Sequence, residues 1–123
     1  MRRDIFTMPE IRFVGGQSLT LRWNLYRKNG TPYNAKSCTG NFSVIDYSDQ
    51  DDETILINKS VTFLENKEGI INIAQVDLVP SDTKSLDGKY IYQITIKDVF
   101  GEVEIPDQGF LQITHNINEG FIN

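Results

Sequence analysis

This chain of 123 residues contains one cysteine, one histidine, one tryptophan and four prolines. The single cysteine, Cys38, excludes an internal disulfide framework. That suits a reducing compartment, or an assembly built inside a cell. No run of about 18 apolar residues exists, so a membrane-spanning helix is not expected. Arg2-Arg3 is followed by no apolar stretch, so a signal peptide is not expected either. Without one, the glycosylation sequons Asn41-Phe42-Ser43 and Asn58-Lys59-Ser60 read as chance matches. Positive charge is also scarce: 12 Lys and Arg stand against 17 Asp and Glu, for a net charge of −5. The isoelectric point lies near 4.7. Only Arg2-Arg3 and Arg27-Lys28 cluster cations, too few to hold phosphate backbones or anionic bilayers, so neither nucleic acid nor membrane is an expected partner.

What is present is a sheet-forming pattern. In the stretch Asp87 to Ile117, Tyr90, Tyr92, Ile94 and Ile96 share one parity, while Gln93, Thr95 and Lys97 share the other. Successive strand side chains point to opposite faces, so this alternation suits a half-buried strand. Asp98 to Gly101 reads as a turn and Glu102 to Ile105 as a short return strand. Pro106-Asp107-Gln108-Gly109 is expected to break the pairing, and Phe110 to His115 to form the last strand. Upstream, Ile11 to Phe13 is a short strand ended by Gly15-Gly16. Ser18 to Tyr26 places Leu19, Leu21, Trp23 and Leu25 on a core-facing side. Asn29-Gly30 supplies the positive φ angles of a tight turn. Thr39 to Tyr47, Thr54 to Asn58, Ser60 to Glu65 and Ile70 to Leu78 complete the strands. The last is apolar on both parities near its start, which predicts cover on both sides. Pro80 can open one helical turn within residues 80–86, with Asp82 as its cap.

About seven to nine short strands separated by turns predict an all-β, antiparallel sandwich with an immunoglobulin-like arrangement. Its length favours one domain, over 11–117, with an N-terminal arm at 1–10 and a C-terminal tail at 118–123. Leu78…Ser81-Asp82…Asp87-Gly88-Lys89-Tyr90 is similar to the corner of immunoglobulin-like sandwiches where a tyrosine hydroxyl bonds back to upstream backbone. Tyr90 is the structural residue in that reading.

Chemical motifs are few. His115 sits at a strand end with no nucleophile nearby in sequence, so catalysis is not expected. Asp49, Asp51 and Asp52 could offer oxygen ligands to calcium. Their loop lacks the glycine and the spaced glutamate of a calcium-binding loop, and its like charges favour a solvated strand of chain. No cofactor motif is present. Tyr26 and Tyr33 flank the Asn29-Gly30 turn and are the candidates for a ligand or partner patch, such as a carbohydrate-stacking surface. Sandwich edge strands can pair with another chain.

Leu19–Leu25 with Asn29-Gly30-Thr31-Pro32, then GKYIYQITIKD (88–98) and EIPDQGFLQITHNI (104–117), resembles small virion proteins of tailed bacteriophages. The likeness is strongest to the immunoglobulin-like N-terminal domain of baseplate upper proteins. It covers roughly Ile11 to Ile117 and implies a non-enzymatic structural role. It also implies assembly in the bacterial host cytoplasm, residence in the virion, and contacts with other virion proteins. Homo-oligomers, trimers or hexamers, follow from the cyclic symmetry of such particles. Baseplate upper proteins continue into a helical stalk. This sequence stops eight residues after His115, so an adaptor, plug or surface-decoration role is expected. A small carbohydrate- or ligand-binding module is the alternative.

Overall fold

The computed structural model describes residues 10–48 and 54–122. The arm residues 1–9 and the proposed calcium ligands Asp49, Asp51 and Asp52 lie outside that range. Glu10 lies within it and already belongs to the first strand. In chain order the elements are β1 (Glu10–Val14), β2 (Leu19–Asn24), β3 (Thr39–Asp46), β4 (Ile57–Ser60), β5 (Thr62–Glu65), β6 (Ile71–Leu78), α1 (Pro80–Thr83), β7 (Gly88–Lys97), β8 (Val103–Thr114) and α2 (Glu119–Ile122). A five-stranded sheet runs β1-β8-β7-β3-β4 and a three-stranded sheet β2-β6-β5. The molecule is an all-β sandwich, and among the described residues helix is limited to two single turns.

The alternation of β7 decides where the core lies. Tyr90, Tyr92, Ile94 and Ile96 are all buried, and they meet Phe42 and Val44 of β3 and Leu111 and Ile113 of β8. From the smaller sheet, Leu21, Ala74, Val76 and Leu78 close the other side. Trp23 is half-buried, not sealed in the core. It packs on Phe42 and Tyr92, each with ring centroids 5.8 Å away.

β3 forms despite Gly40, and the reason is steric. A Cβ there would lie 2.8 Å from the Phe63 ring and 2.9 Å from the Val61 Cβ. The glycine lets the chain crossing from β4 to β5 pass close over β3. That crossing divides the Thr54–Glu65 stretch between the two sheets. Ile57 is buried, but Ile55 and Leu56 precede β4 and stay exposed. β6 is the middle strand of the small sheet, and its burial alternates. Asn72, Ala74, Val76 and Leu78 face inward, while Ile71 and Ile73 are only half-covered. Among the described residues the expected cover on both sides is therefore absent, because the second layer lies on one face alone.

Pro106 does not break the last strand. β8 continues from Val103 to Thr114, and Tyr92, Gln93 and Ile94 pair with Gly109, Gln108 and Asp107. The next pair is Ile96 with Glu104. β8 therefore uses one more residue than β7 across this interval, a bulge at Ile105-Pro106. A bulge leaves one residue out of the ladder, which is where a proline without an N–H fits. β1 pairs in parallel with Phe110–Thr114 only. Among the described residues, Val103–Gly109 has a neighbouring strand on one side alone.

At the far end, α1 starts at Pro80, and the Val79 N–H donates to the Asp82 carboxylate at 2.8 Å. The tail also makes a second short turn, α2, that the sequence pattern did not indicate.

Core placement can be checked by urea denaturation. Ile94→Ala and Leu21→Ala should each lower stability by about 2–5 kcal/mol. Gly40→Ala should cost about 1–3 kcal/mol through the clash with Phe63. Phe100→Ala, on an 89% exposed side chain, should stay within about 0.5 kcal/mol of the parent.

Candidate functional site

Three loops meet at one end of the sandwich: residues 25–38, 66–70 and 98–102. β2 ends there and β3, β6 and β8 begin there, so the sheet register itself gathers them. The first loop doubles back on itself. Tyr26 bridges to Pro32, the Arg27 N–H donates to the Thr31 carbonyl at 2.8 Å, and Gly30 has φ of 86°. The Asn29 side chain accepts from the Thr31 N–H at 3.0 Å. The turn joins strands of different sheets, so it is a local fold-back and not a ladder hairpin.

This fold-back sets Tyr26 and Tyr33 on one groove of about 350 Å³, in the range of small-molecule sites. The two tyrosines differ in exposure. Tyr26 is 59% exposed, whereas Tyr33 is half-buried against the core, with its N–H donating to the Leu25 carbonyl at 3.0 Å. They are not exposed together. Leu25 and Ile96 make an apolar floor, Pro106 and Ile105 the far wall, and Arg27, Lys28 and Glu104 the charged margin. Glu104 reaches the groove because it pairs with Ile96 across β7 and β8, and directly opposed residues share a face. The Arg27 guanidinium lies 5.2 Å from the Tyr33 ring centroid, a cation–π contact.

Burial, the Cys38 thiol and the carboxylates of Glu104 and Asp98 push the Tyr33 phenol up from 10 to about 12. The phenol is therefore a neutral hydrogen-bonding group across the ordinary pH range. On the other side of Tyr26 lies a shallower hollow beside Asn66 and Asn72. Asn72 is 3% exposed and donates from Nδ2 to the Leu25 carbonyl at 3.3 Å, while its Oδ1 has no partner.

The β7–β8 turn projects beside the groove. Phe100 is 89% and Val99 67% exposed, and Val103 and Ile105 continue the apolar strip along β8. The turn is tightly tied. The Asp98 carboxylate accepts from the N–H groups of Phe100 at 2.9 Å and Glu102 at 3.0 Å, and Gly101 takes φ of 85°. Alternation rules gave no sign of this knob, since turn residues carry no burial pattern. An apolar Val-Phe pair inside a turn is the signal that could have marked it.

The remaining candidates lie elsewhere. Tyr90 is buried at the opposite end. Its hydroxyl accepts from the Asp87 N–H at 3.0 Å and donates to the Asp87 carbonyl at 3.2 Å. His115 follows β8 at that same end and is exposed. Among the described residues, no three His, Cys, Asp or Glu side chains gather as metal ligands, and no helix is long and apolar enough to cross a membrane. Compared with known protein families and curated proteins, the chain matches no family model and no curated sequence.

The raised Tyr33 pKa has a pH consequence. A phenol held protonated in the fold stabilises it fully below pH 10 and loses that contribution as pH rises through about 12. Between those limits the native protein should lose stability that Tyr33→Phe retains. Comparing urea midpoints of the two proteins at pH 9 and at about pH 11 should show the gap moving in favour of Tyr33→Phe at the higher pH.

Proposed function

We propose that this protein is a non-enzymatic docking module and a structural component of a bacteriophage virion, placed as a baseplate or tail adaptor or on the head surface. In this reading it reaches the particle by assembly in the host cytoplasm and works through self-association and contact with other virion proteins. The observation that carries the docking role is the rigid β7–β8 knob. Val99 and Phe100 place apolar surface in water on a turn tied by the Asp98 carboxylate, and Val103 and Ile105 add exposed apolar surface at the start of β8. Exposed apolar side chains grouped in one short segment suit an interaction site.

Three features support the immunoglobulin-like part of the reading. The order β2-β6-β5 parallels the B-E-D order of such sandwiches, and β8-β7-β3 parallels their G-F-C order. Tyr90 begins β7 with its hydroxyl on Asp87 backbone, as a corner tyrosine does. The phage assignment is supported by the likeness of the GKYIYQITIKD and EIPDQGFLQITHNI segments alone. A second reading, a carbohydrate- or ligand-binding module, is favoured by the meeting of Tyr26 and Tyr33 on one groove.

Quantitative peptide mass spectrometry should find the chain in purified phage particles whose genome encodes it. A copy number that is a small multiple of a ring's subunit number would place it in tail or baseplate, and hundreds of copies on the head. Absence from clean particles would remove the virion role. Glycan-array hits lost in Tyr26→Ala would establish the second reading, and a blank array would remove it.

A further inference from the structure

The knob is apolar and flanked by carboxylates, and the groove is apolar with a mainly cationic rim. Phe100 is 89% exposed, so it does not occupy the groove of its own molecule. Its turn is held by two hydrogen bonds to the Asp98 carboxylate and one from the Asp98 N–H to the Glu102 carbonyl at 3.0 Å. Covering a side chain carried on a backbone already held in this way avoids the cost of ordering the turn. The groove offers about 350 Å³ over an apolar floor of Leu25 and Ile96, walled by Pro106. That is room for a phenyl ring.

The charges are opposed. The exposed Glu102 flanks the knob, while Arg27, Lys28 and Glu104 rim the groove, a margin with two positive charges to one negative. Among the described residues neither cation has an ion pair, and the Arg27 guanidinium lies over the Tyr33 ring. Carboxylates at Asp98, Glu102 and Glu104 around the knob also disfavour its insertion into an anionic bilayer.

We infer that the partner of this end is a second copy of the chain, with Phe100 of each copy seated in the groove of the other. Knob and groove both belong to the start of β8, on one end of one molecule. A two-fold axis therefore satisfies both contacts at once, as an isologous interface requires. Glu102 of each copy then faces Lys28 of the other. The inference rests on the assembly reading for its purpose and gives that reading its first partner. A dimer of this kind is also a building unit for a hexameric ring.

Sedimentation of the full chain across a concentration series tests it. The expected result is a reversible monomer–dimer equilibrium that weakens with added salt. Phe100→Ser should lower the association constant at least about tenfold while leaving the unfolding midpoint unchanged at concentrations where the parent is monomeric. Lys28→Glu and Glu102→Lys should each weaken association, and the two together should restore it. A protein monomeric at every concentration overturns the inference. So does a dimer indifferent to Phe100→Ser, or one that the double reversal does not rescue. Saccharide binding by a monomeric protein, lost in Tyr26→Ala, would assign the groove to sugar and overturn it too. Particle mass spectrometry is independent of these outcomes. Absence from virions with an intact dimer would remove the phage role and leave the interface, and the reverse pattern would do the opposite.

Discussion

The sandwich depends on one cluster of three rings. Trp23 comes from the small sheet, and Phe42 and Tyr92 come from adjacent strands of the large one. Each pair of ring centroids is 5.8 Å apart. Aromatic side chains bury more area than any others and prefer tilted or offset contacts at this spacing. The cluster therefore fixes both the gap between the sheets and which parity of β2, β3 and β7 turns inward. A one-residue slip in β7 would expose Tyr92 and Ile94 together and bury Gln93 and Thr95. Tyr92 also ties the cluster to the next strand, because its hydroxyl donates to Asp107 at 2.8 Å.

That tie helps explain how β8 carries a proline. With Asp107 held under Tyr92 and Glu104 opposite Ile96, the extra residue has to lie between them. The bulge at Ile105-Pro106 absorbs it. The bulge then sets the wall of the groove and turns Glu104 toward Tyr33. The apolar floor below is the end of the β7 alternation, Ile96, together with Leu25 just past β2. The groove is thus a by-product of core register meeting a strand irregularity, and not a separate insertion. The knob beside it follows from the same strands, since the turn between β7 and β8 must sit at the same end.

Strand positions were largely legible in the sequence because burial on one face leaves a period of two. This held for β2, β3 and β7, where Leu21, Phe42 and Ile94 stand on the parity that points inward. It failed where a second constraint overrode the pattern. Pro106 reads as a breaker, but a bulge removes the need for its N–H. Ile71 and Ile73 read as covered on both sides, but β-branched residues also suit a half-exposed strand surface. Of the candidate site, Tyr26 and Tyr33 were visible from their places beside Asn29-Gly30. Their unequal burial was not visible, because it depends on Tyr33 packing against the core, and neither was the approach of Asp98 and Glu104 to Tyr33 from the β7–β8 turn and the start of β8.

By itself the sequence determined the all-β class, the inward parity of the main strands and the sites of the turns. These are local matters of side-chain alternation and of backbone angles available to Asn29-Gly30 or Asp87-Gly88. Only the tertiary structure decided how the strands divide between sheets, where β8 bulges, and that Arg27, Tyr33, Glu104 and Phe100 share one end. Those outcomes depend on contacts between residues dozens of positions apart. Alternation along a strand specifies which face is buried, but not which other strand will bury it.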